Sequence, residues 1–198
     1  MKFIIGKKLE MAQIFDEKWN VVPVTLVEAG PCFVLQIKTK EKDGYKAFQF
    51  GFAQKTKNIK KTEKNKEFKF IREFRDNKSE LENYKLGQKI DLSIFNEGQE
   101  VNISGISKGR GFAGAVKKWH FAGRPSTHGT KHQERTIGSV GCRYPQRVIK
   151  GKHMPGRLGY DRVTLKNCKI AKLDIENNIL AVRGAVPGRK GTLLEIRG

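Results

Sequence analysis

The sequence has few cysteines, no long apolar run and comparatively few acidic residues, and each shortage excludes a class of protein. The three cysteines, Cys32, Cys142 and Cys168, are odd in number and widely spaced, so they define no disulfide framework and favour a reducing compartment. Charge-free stretches such as residues 19–27 are far shorter than the ~20 apolar residues of a membrane span. Residues 1–8 contain too little apolar sequence for a signal peptide.

The charge balance indicates a polyanionic partner. The 198 residues include 40 Lys and Arg but 20 Asp and Glu, which gives a formal net charge of +20. A compact fold with this excess repels itself unless a polyanion neutralises it. Nucleic acid is a better candidate than an anionic membrane or an acidic protein, because dense phosphate is the commonest intracellular partner for such charge.

Strand patterns occupy both ends of the chain and predict a mainly β fold. Segments rich in β-branched residues, with period-two alternation, are typical of half-buried strands. The predicted strands are residues 21–27, 32–39, 45–52, 90–95, 100–106, 162–166, 169–174, 178–183 and 192–196. Asp43-Gly44 and Asn177-Asn178 are turn signals between consecutive strands, because these residue types tolerate the positive φ of tight hairpins.

Residues 55–78 differ from the strands around them. They contain ten Lys and Arg among four acids, with little apolar sequence before Phe68. This composition predicts a basic insertion near residues 55–80 that faces solvent or RNA and has low order in isolation. Phe68, Ile71 and Phe74 have the spacing of a helix face, whereas Phe68 and Phe70 fit a strand, so both interpretations stay open here.

The middle of the chain has too few apolar residues for a core of its own. Residues 106–162 contain 13 Lys and Arg against two acids, all four histidines and ten of the 21 glycines, but only seven Val, Ile or Leu. Such a segment cannot offset its ordering entropy alone. Residues 107–160 are therefore predicted to be a long basic, irregular extension of one β domain, which residues 1–106 and 161–198 form together.

A glycine motif in this segment suggests a nucleotide cofactor, but its context argues against one. Gly109–Gly114 matches G-x-G-x-x-G, which in dinucleotide-binding proteins opens a helix followed by a second buried parallel strand. Here Gly123-Arg124-Pro125 breaks the helix early, and no apolar strand is predicted before Tyr160. The better interpretation is that the glycines let the backbone lie close to RNA while neighbouring cations bind phosphate.

Metal and catalytic sites have weaker signals still, so we expect no metal, no cofactor, no small-molecule substrate and no enzyme. His128 and His132 are four residues apart, but Gly129 argues against the shared helix face that a zinc site needs. The segment has no C-x-x-C motif and no paired carboxylates. Cys142 lacks an identifiable group that would orient a neighbouring base.

Aromatic and cationic residues alternate in the same segment, as in Lys117-Lys118-Trp119-His120-Phe121. Planar side chains stack on unpaired bases and arginine binds phosphate bidentately, although Phe112, Trp119 and Phe121 fit equally well as contacts that pin the segment to the β domain. The predicted RNA-backbone contacts are Lys108, Arg110, Lys117, Lys118, Arg124, Arg135, Arg143, Arg147, Lys150, Lys152 and Arg157, the predicted base or sugar contacts are Trp119, His120, His128 and His153, and Arg189 and Lys190 add a contact from the β domain.

Several short motifs together resemble one known family. They are Ser107–Gly114, Val116–Trp119, Thr127–Gly129, Gly138–Gly141, Lys150–Gly159 and Arg162–Thr164, with Gly6–Phe15 and Gly184–Gly188 near the two ends. Across nearly the whole chain, with residues 55–80 least alike, the sequence resembles the bacterial type of the universal ribosomal protein L3 family. Glu10 stands where the family has glycine.

The resemblance implies a six-stranded translation-protein-type β-barrel on the surface of the large ribosomal subunit. It also implies that residues 107–160 thread into 23S-type rRNA towards the peptidyl-transferase centre, that the protein binds rRNA early in subunit assembly, and that other large-subunit proteins are its neighbours. The implied location is the ribosome of the cytoplasm, with an organellar ribosome as the alternative. A non-ribosomal RNA chaperone and a nucleotide-cofactor enzyme remain competing hypotheses.

Overall fold

The computed structural model of the chain describes residues 2–57, 59–63, 66–75 and 84–198, and it is mainly β. The chain divides into two compact units. The first, here called the β unit, is Met1–Ile106 with Arg162–Gly198, and the second, here called the basic unit, is Ser107–Asp161. None of the helices in the described residues is long and apolar enough to cross a membrane.

Six strands of the β unit form a closed ring. The strands of the chain are β1 (Phe3–Phe15), β2 (Val21–Ala29), β3 (Cys32–Lys38), β4 (Ala47–Gln54), β5 (Phe68–Arg75), β6 (Lys89–Ile90), β7 (Glu100–Ile106), β8 (Gly111–Ala113), β9 (Gly156–Leu158), β10 (Arg162–Asp174), β11 (Ile179–Arg183) and β12 (Leu193–Arg197). The ring order is β1-β12-β7-β10-β11-β2, with every pair antiparallel. Each ring strand therefore has two partner strands, so the ring has no terminal strand.

Alternating apolar residues fill the interior of the β unit. Ile196 of β12 pairs with Ile4 of β1 on one side and with Ile103 of β7 on the other, and all three side chains are fully buried. Full burial of such a side chain contributes roughly 1.5–3 kcal/mol. This row joins the beginning, middle and end of the chain, so the ring closes only when all three segments are present.

A second sheet of the β unit has the order β5-β4-β3-β6. Its strand β5 corrects the expectation that residues 55–78 are a poorly ordered insertion, at least for Phe68–Arg75. β5 pairs antiparallel with β4, from Arg75 opposite Ala47 to Phe68 opposite Gln54, and this pairing selects the strand over the helix. Phe74 is fully buried and stacks on Phe3 with ring centroids 4.9 Å apart. The parts of that prediction at residues 58, 64–65 and 76–83 lie outside the described residues.

Most predicted strands are confirmed, but three local predictions need correction. The predicted strand 90–95 is only the two residues of β6 followed by a 3-10 turn at Leu92–Ile94, in which Phe95 N–H donates to the Leu92 carbonyl. Residues 162–174 form one strand with an irregularity between Leu165 and Cys168 rather than two strands. The Asp43-Gly44 turn is the end of a one-turn helix, α1 (Lys40–Asp43).

Candidate nucleic-acid interface

The basic unit has almost no interior. All of its residues are described, and only Ala113 and Ala115 are buried. It contains 12 Lys and Arg against two acids, Glu134 and Asp161. A segment that buries so little apolar surface gains little from packing, so its cations are spread over an exposed surface.

The two ends of the basic unit pair with each other. β8 and β9 are antiparallel, with Gly111 opposite Leu158, and the Arg110 N–H donates to the Leu158 carbonyl at 2.8 Å. Ser107 N–H donates to the Asp161 carbonyl at 2.9 Å. We call residues 107–121 and 153–161 the stem and residues 122–152 the tip. The tip contains turns and bends but no strand or helix.

This arrangement differs from a dinucleotide-binding unit. The helix after the glycine motif, α2 (Ala115–Trp119), has five residues and ends at His120, whose φ is 59°. The strand that precedes Tyr160 is β9, which has three residues, Gly156–Leu158, none of them buried, and runs antiparallel to β8. It is not the apolar strand that the sequence was expected to lack. The buried parallel strand that the cofactor fold requires is therefore not formed by these residues.

Two glycines of the basic unit are needed for its shape. Gly159 has φ +75°, and a Cβ there would lie 2.1 Å from the Lys108 carbonyl oxygen. Gly123 has φ +74°, and a Cβ there would lie 2.5 Å from the Glu134 carbonyl oxygen. A side chain at either position would clash with a backbone carbonyl oxygen, and it would also strain the backbone, because the φ angle is positive. These glycines therefore serve close approach of the chain to itself.

Trp119 and His153, both predicted to contact bases or sugars, stack on each other. Their ring centroids are 3.8 Å apart and their planes differ by 1°. The Trp119 Nε1–H donates to the Met154 carbonyl at 2.8 Å, and Lys118 Nζ lies 5.0 Å from the Trp119 ring centroid. The faces that the two rings share are thus covered within the stem, and any RNA contact would use their remaining surfaces. The contact lies inside the basic unit.

The other predicted contacts are mostly exposed. Arg124 donates to the Gln133 side chain, and the Arg157 guanidinium lies 4.7 Å from the Tyr160 ring centroid. Lys118 is half-buried. The exposed members are Lys108, Arg110, Lys117, His120, Arg124, His128, Arg135, Arg143, Arg147, Lys150, Lys152 and Arg157 in the basic unit, with Arg189 and Lys190 in the β unit. A dense set of exposed cations on a unit without a core is the chemistry of a phosphate-binding surface.

Comparison with known proteins identifies the family to which the chain belongs. The family model described as ribosomal protein L3 matches residues 76–177. The chain is 48% identical to the large ribosomal subunit protein uL3 of Thermosipho africanus, over 100% of this chain and 98% of the relative. It is 46% identical to uL3 of Dehalococcoides mccartyi strain BAV1, over 98% and 96%. The chain belongs to the ribosomal protein L3 family. It is therefore a structural ribosomal protein and not an enzyme.

The family match includes the whole basic unit of this L3-family protein. Within the described residues, no three His, Cys, Asp or Glu side chains are grouped closely enough to hold a metal ion. Three further aromatics of the unit are exposed: Phe112 at 80%, Tyr144 at 73% and Tyr160 at 63%. The sequence left stacking on bases open for Phe112 and suggested it for Tyr144 between arginines, but none of the three was named as an RNA contact. Their position beside or near arginines, in a unit with no core to bury them, is the signal that points to them.

Proposed function

We propose that this L3-family protein binds 23S-type rRNA directly and that its basic unit is the extension that enters the RNA. The observation that carries the proposal is the combination, in 55 residues, of 12 basic side chains with only two buried residues. Protein packing contributes little to ordering such a unit. Phosphate neutralisation, with release of condensed counterions, supplies the missing free energy.

The stem and the tip have different tasks in this mechanism. The stem is already paired through β8 and β9 and through the Trp119–His153 stack, so it presents Lys108, Arg110 and Lys117 without further ordering. The tip has no regular structure and takes its final shape on the RNA. Its arginines and exposed Tyr144 suit the irregular, single-stranded regions in which unstacked bases are accessible.

The β unit anchors the protein in the same proposal. Its closed ring of six strands is the translation-protein-type β-barrel of the family, which folds by itself and docks on the surface of the large subunit. Its neighbours there are rRNA and other large-subunit proteins. The protein joins the subunit early in assembly, its extension supports the region near the peptidyl-transferase centre, and its location is the ribosome of the cytoplasm.

The first test is binding to large-subunit rRNA across a salt series, with an unrelated structured RNA of equal length as competitor. We expect the cognate RNA to bind more tightly at every salt concentration. The logarithm of the affinity should fall linearly with log salt by roughly 0.7–0.9 per phosphate contact. Equal binding of both RNAs would instead make the protein a general RNA chaperone and defeat the proposal.

A charge-matched pair of variants locates the contact surface. The test variant carries Lys108→Gln, Arg110→Gln, Lys117→Gln and Lys150→Gln, all exposed positions of the basic unit. The control removes four exposed lysines of the β unit, Lys18, Lys40, Lys42 and Lys46, in the same way. We expect the salt slope of the test variant to fall by about 3, because four phosphate contacts are lost, and that of the control to change much less. Equal effects would contradict the assignment.

A further inference from the structure

A buried lysine lies in the first strand of the β unit. Lys8 of β1 is only 8% exposed, and its Nζ donates to the carbonyl oxygens of Val186 at 2.9 Å and Gly188 at 3.0 Å. Burial of an ammonium is costly unless hydrogen bonds replace its hydration. The two carbonyls that meet this need both belong to one loop, which therefore adopts a shape that suits the ammonium.

The backbone of Lys8 holds the other end of the same loop. Its N–H donates to the Thr192 carbonyl at 2.9 Å, and the Gly191 N–H donates to the Lys8 carbonyl at 2.7 Å. Val186, Gly188, Gly191 and Thr192 all belong to this loop, which spans residues 186–192 and is called the 186–192 loop below. One residue thus binds this loop through four hydrogen bonds, two from its side chain near the start and two from its backbone near the end.

The loop is further constrained from within. Gly188 has φ +88°, and a Cβ there would lie 2.4 Å from the Thr192 Oγ1. Val186 is buried, and the Thr192 N–H donates to the Arg189 carbonyl at 3.1 Å. Arg189 and Lys190 lie between these fixed points and are exposed. The 186–192 loop is therefore held at both ends and carries two adjacent exposed cations between them. We call Arg189 and Lys190 the crest of the loop.

Lys190 of the crest forms a weak ion pair with Glu10. Lys190 Nζ lies 3.5 Å from Glu10 Oε2, and both side chains are largely exposed, at 76% and 62%. An exposed ion pair of this kind contributes little free energy, so a phosphate group can replace the carboxylate. The ion pair with Glu10 therefore does little to oppose RNA binding by Lys190.

We propose that Lys8 is a positioning residue for RNA binding: its buried ammonium holds the 186–192 loop in the shape in which Arg189 and Lys190 meet neighbouring backbone phosphates. This inference rests on the proposed function, because the ligand of the loop is the rRNA backbone. Lys8 itself does not touch the RNA. It raises affinity because a loop that is already ordered loses less conformational entropy on binding.

The test is a mutant cycle in the full-length protein, measured as rRNA affinity and salt slope. Arg189→Gln with Lys190→Gln should lower the salt slope by roughly 1.4–1.8, the loss of two phosphate contacts. Lys8→Met should weaken binding by about threefold to tenfold, as expected for a loop that must be ordered again. Lys8→Met should add nothing to the double variant, and Lys8→Arg, which keeps the donors, should restore affinity. Lys18→Met, which removes an exposed charge, is the control.

Amide hydrogen exchange supplies a second readout that does not depend on RNA. Lys8→Met should accelerate exchange at Gly191 and Thr192, whereas the Arg189 and Lys190 double variant should not. If Lys8→Met does not fold, Lys8→Gln, which keeps two donors on a shorter side chain, takes its place in the same cycle, with partial effects expected.

Three outcomes would overturn the inference. They are additive losses in the combined variant, wild-type affinity in a folded Lys8→Met protein with faster loop exchange, and wild-type affinity after the loss of both crest cations. Each of these leaves selective rRNA binding by the unaltered protein intact. Failure of the proposed function has a different signature, since the unaltered protein would then bind cognate and unrelated RNA equally.

Discussion

At the scale of single residues, Trp119 and His153 were predicted to contact RNA but contact each other in the structure. Their chemistry and basic surroundings predict contacts with bases. In the structure the two rings stack at 3.8 Å, and the indole N–H is bound by the Met154 carbonyl. The residue types identify which groups stack on flat partners, but the nearest partner comes from a segment far away in sequence.

Cys32 makes a residue-scale prediction about pH. Burial raises the pKa of its thiol from 9.0 to about 12, against a smaller lowering by the Ile5 backbone. Above pH 9 the unfolded chain loses this proton before the folded protein does, so the free energy of unfolding falls as pH rises from 9 towards 12. The contribution is fully present below pH 9. Between pH 8 and pH 10 we expect a loss of about 1.4 kcal/mol.

The measurement is urea unfolding of the full chain and of Cys32→Ala at both pH values. Cys32→Ala should be less stable at both, because it leaves a cavity, but it should lose less stability between them. Cys168→Ala is the matched control, since that thiol is only half-buried, so the burial that raises its pKa is less complete than at Cys32. The same pH dependence in the unaltered chain and in Cys32→Ala would show that the Cys32 thiol is not responsible.

At the scale of elements, the local sequence predicts turns and strands well where residues adjacent in the chain determine the conformation. The hairpin turn at Asn177-Asn178 is confirmed, since Asn178 has φ 54° and the Asp174 carboxylate accepts from the Asn177 N–H at 3.0 Å. The Asn177 side-chain amide, which donates to the same carboxylate at 2.8 Å, and this backbone hydrogen bond lower the pKa of Asp174. β5 was undecided because its phenylalanines fit two periods. Antiparallel pairing with β4, a separate segment of the chain, settles it as a strand.

Gly159 carries the prediction for the stem. Gly159→Ala places a Cβ 2.1 Å from the Lys108 carbonyl oxygen at a φ of +75°. We expect the β8–β9 pairing to loosen at a cost of about 1–3 kcal/mol. Amide exchange should accelerate at Arg110, whose N–H donates to Leu158, and rRNA affinity should fall.

Gly141→Ala is the control for that change, because it lies in the tip and a Cβ there meets nothing within 4 Å. It should alter neither exchange at Arg110 nor the fold of the stem. If Gly159→Ala exchanged no faster at Arg110 than Gly141→Ala did, the stem would not depend on the close approach at Gly159.

At the scale of the whole molecule, the two units differ in how they are stabilised. The β unit has a continuous core that includes Ile4, Phe74, Ile103 and Ile196, whereas the basic unit buries only two alanines. Segments with few buried apolar contacts open at low free energy. We therefore expect trypsin to cut the free protein first within the tip, residues 122–152, and to leave the β unit largely intact.

Binding of rRNA should protect the same sites. The measurement is a time course of limited proteolysis with mass spectrometry of the fragments, with and without cognate RNA. The exposed lysines of the β unit serve as internal controls. Initial cleavage spread evenly over both units would contradict the difference in stabilisation, and an unprotected tip in the complex would argue against its ordering on RNA.

The sequence by itself determined the properties that depend on composition and short-range pattern. These are the net charge of +20, the lack of apolar residues in the middle of the chain, the strand periodicity at both ends and the motifs of the L3 family. The tertiary structure alone decided the order in which the six strands close the ring, the strand at Phe68–Arg75, the Trp119–His153 stack and the hydrogen bonds of Lys8 to the 186–192 loop. The physical reason is that charge and periodicity are sums over neighbouring residues, whereas each of these contacts joins residues that only the folded chain brings together.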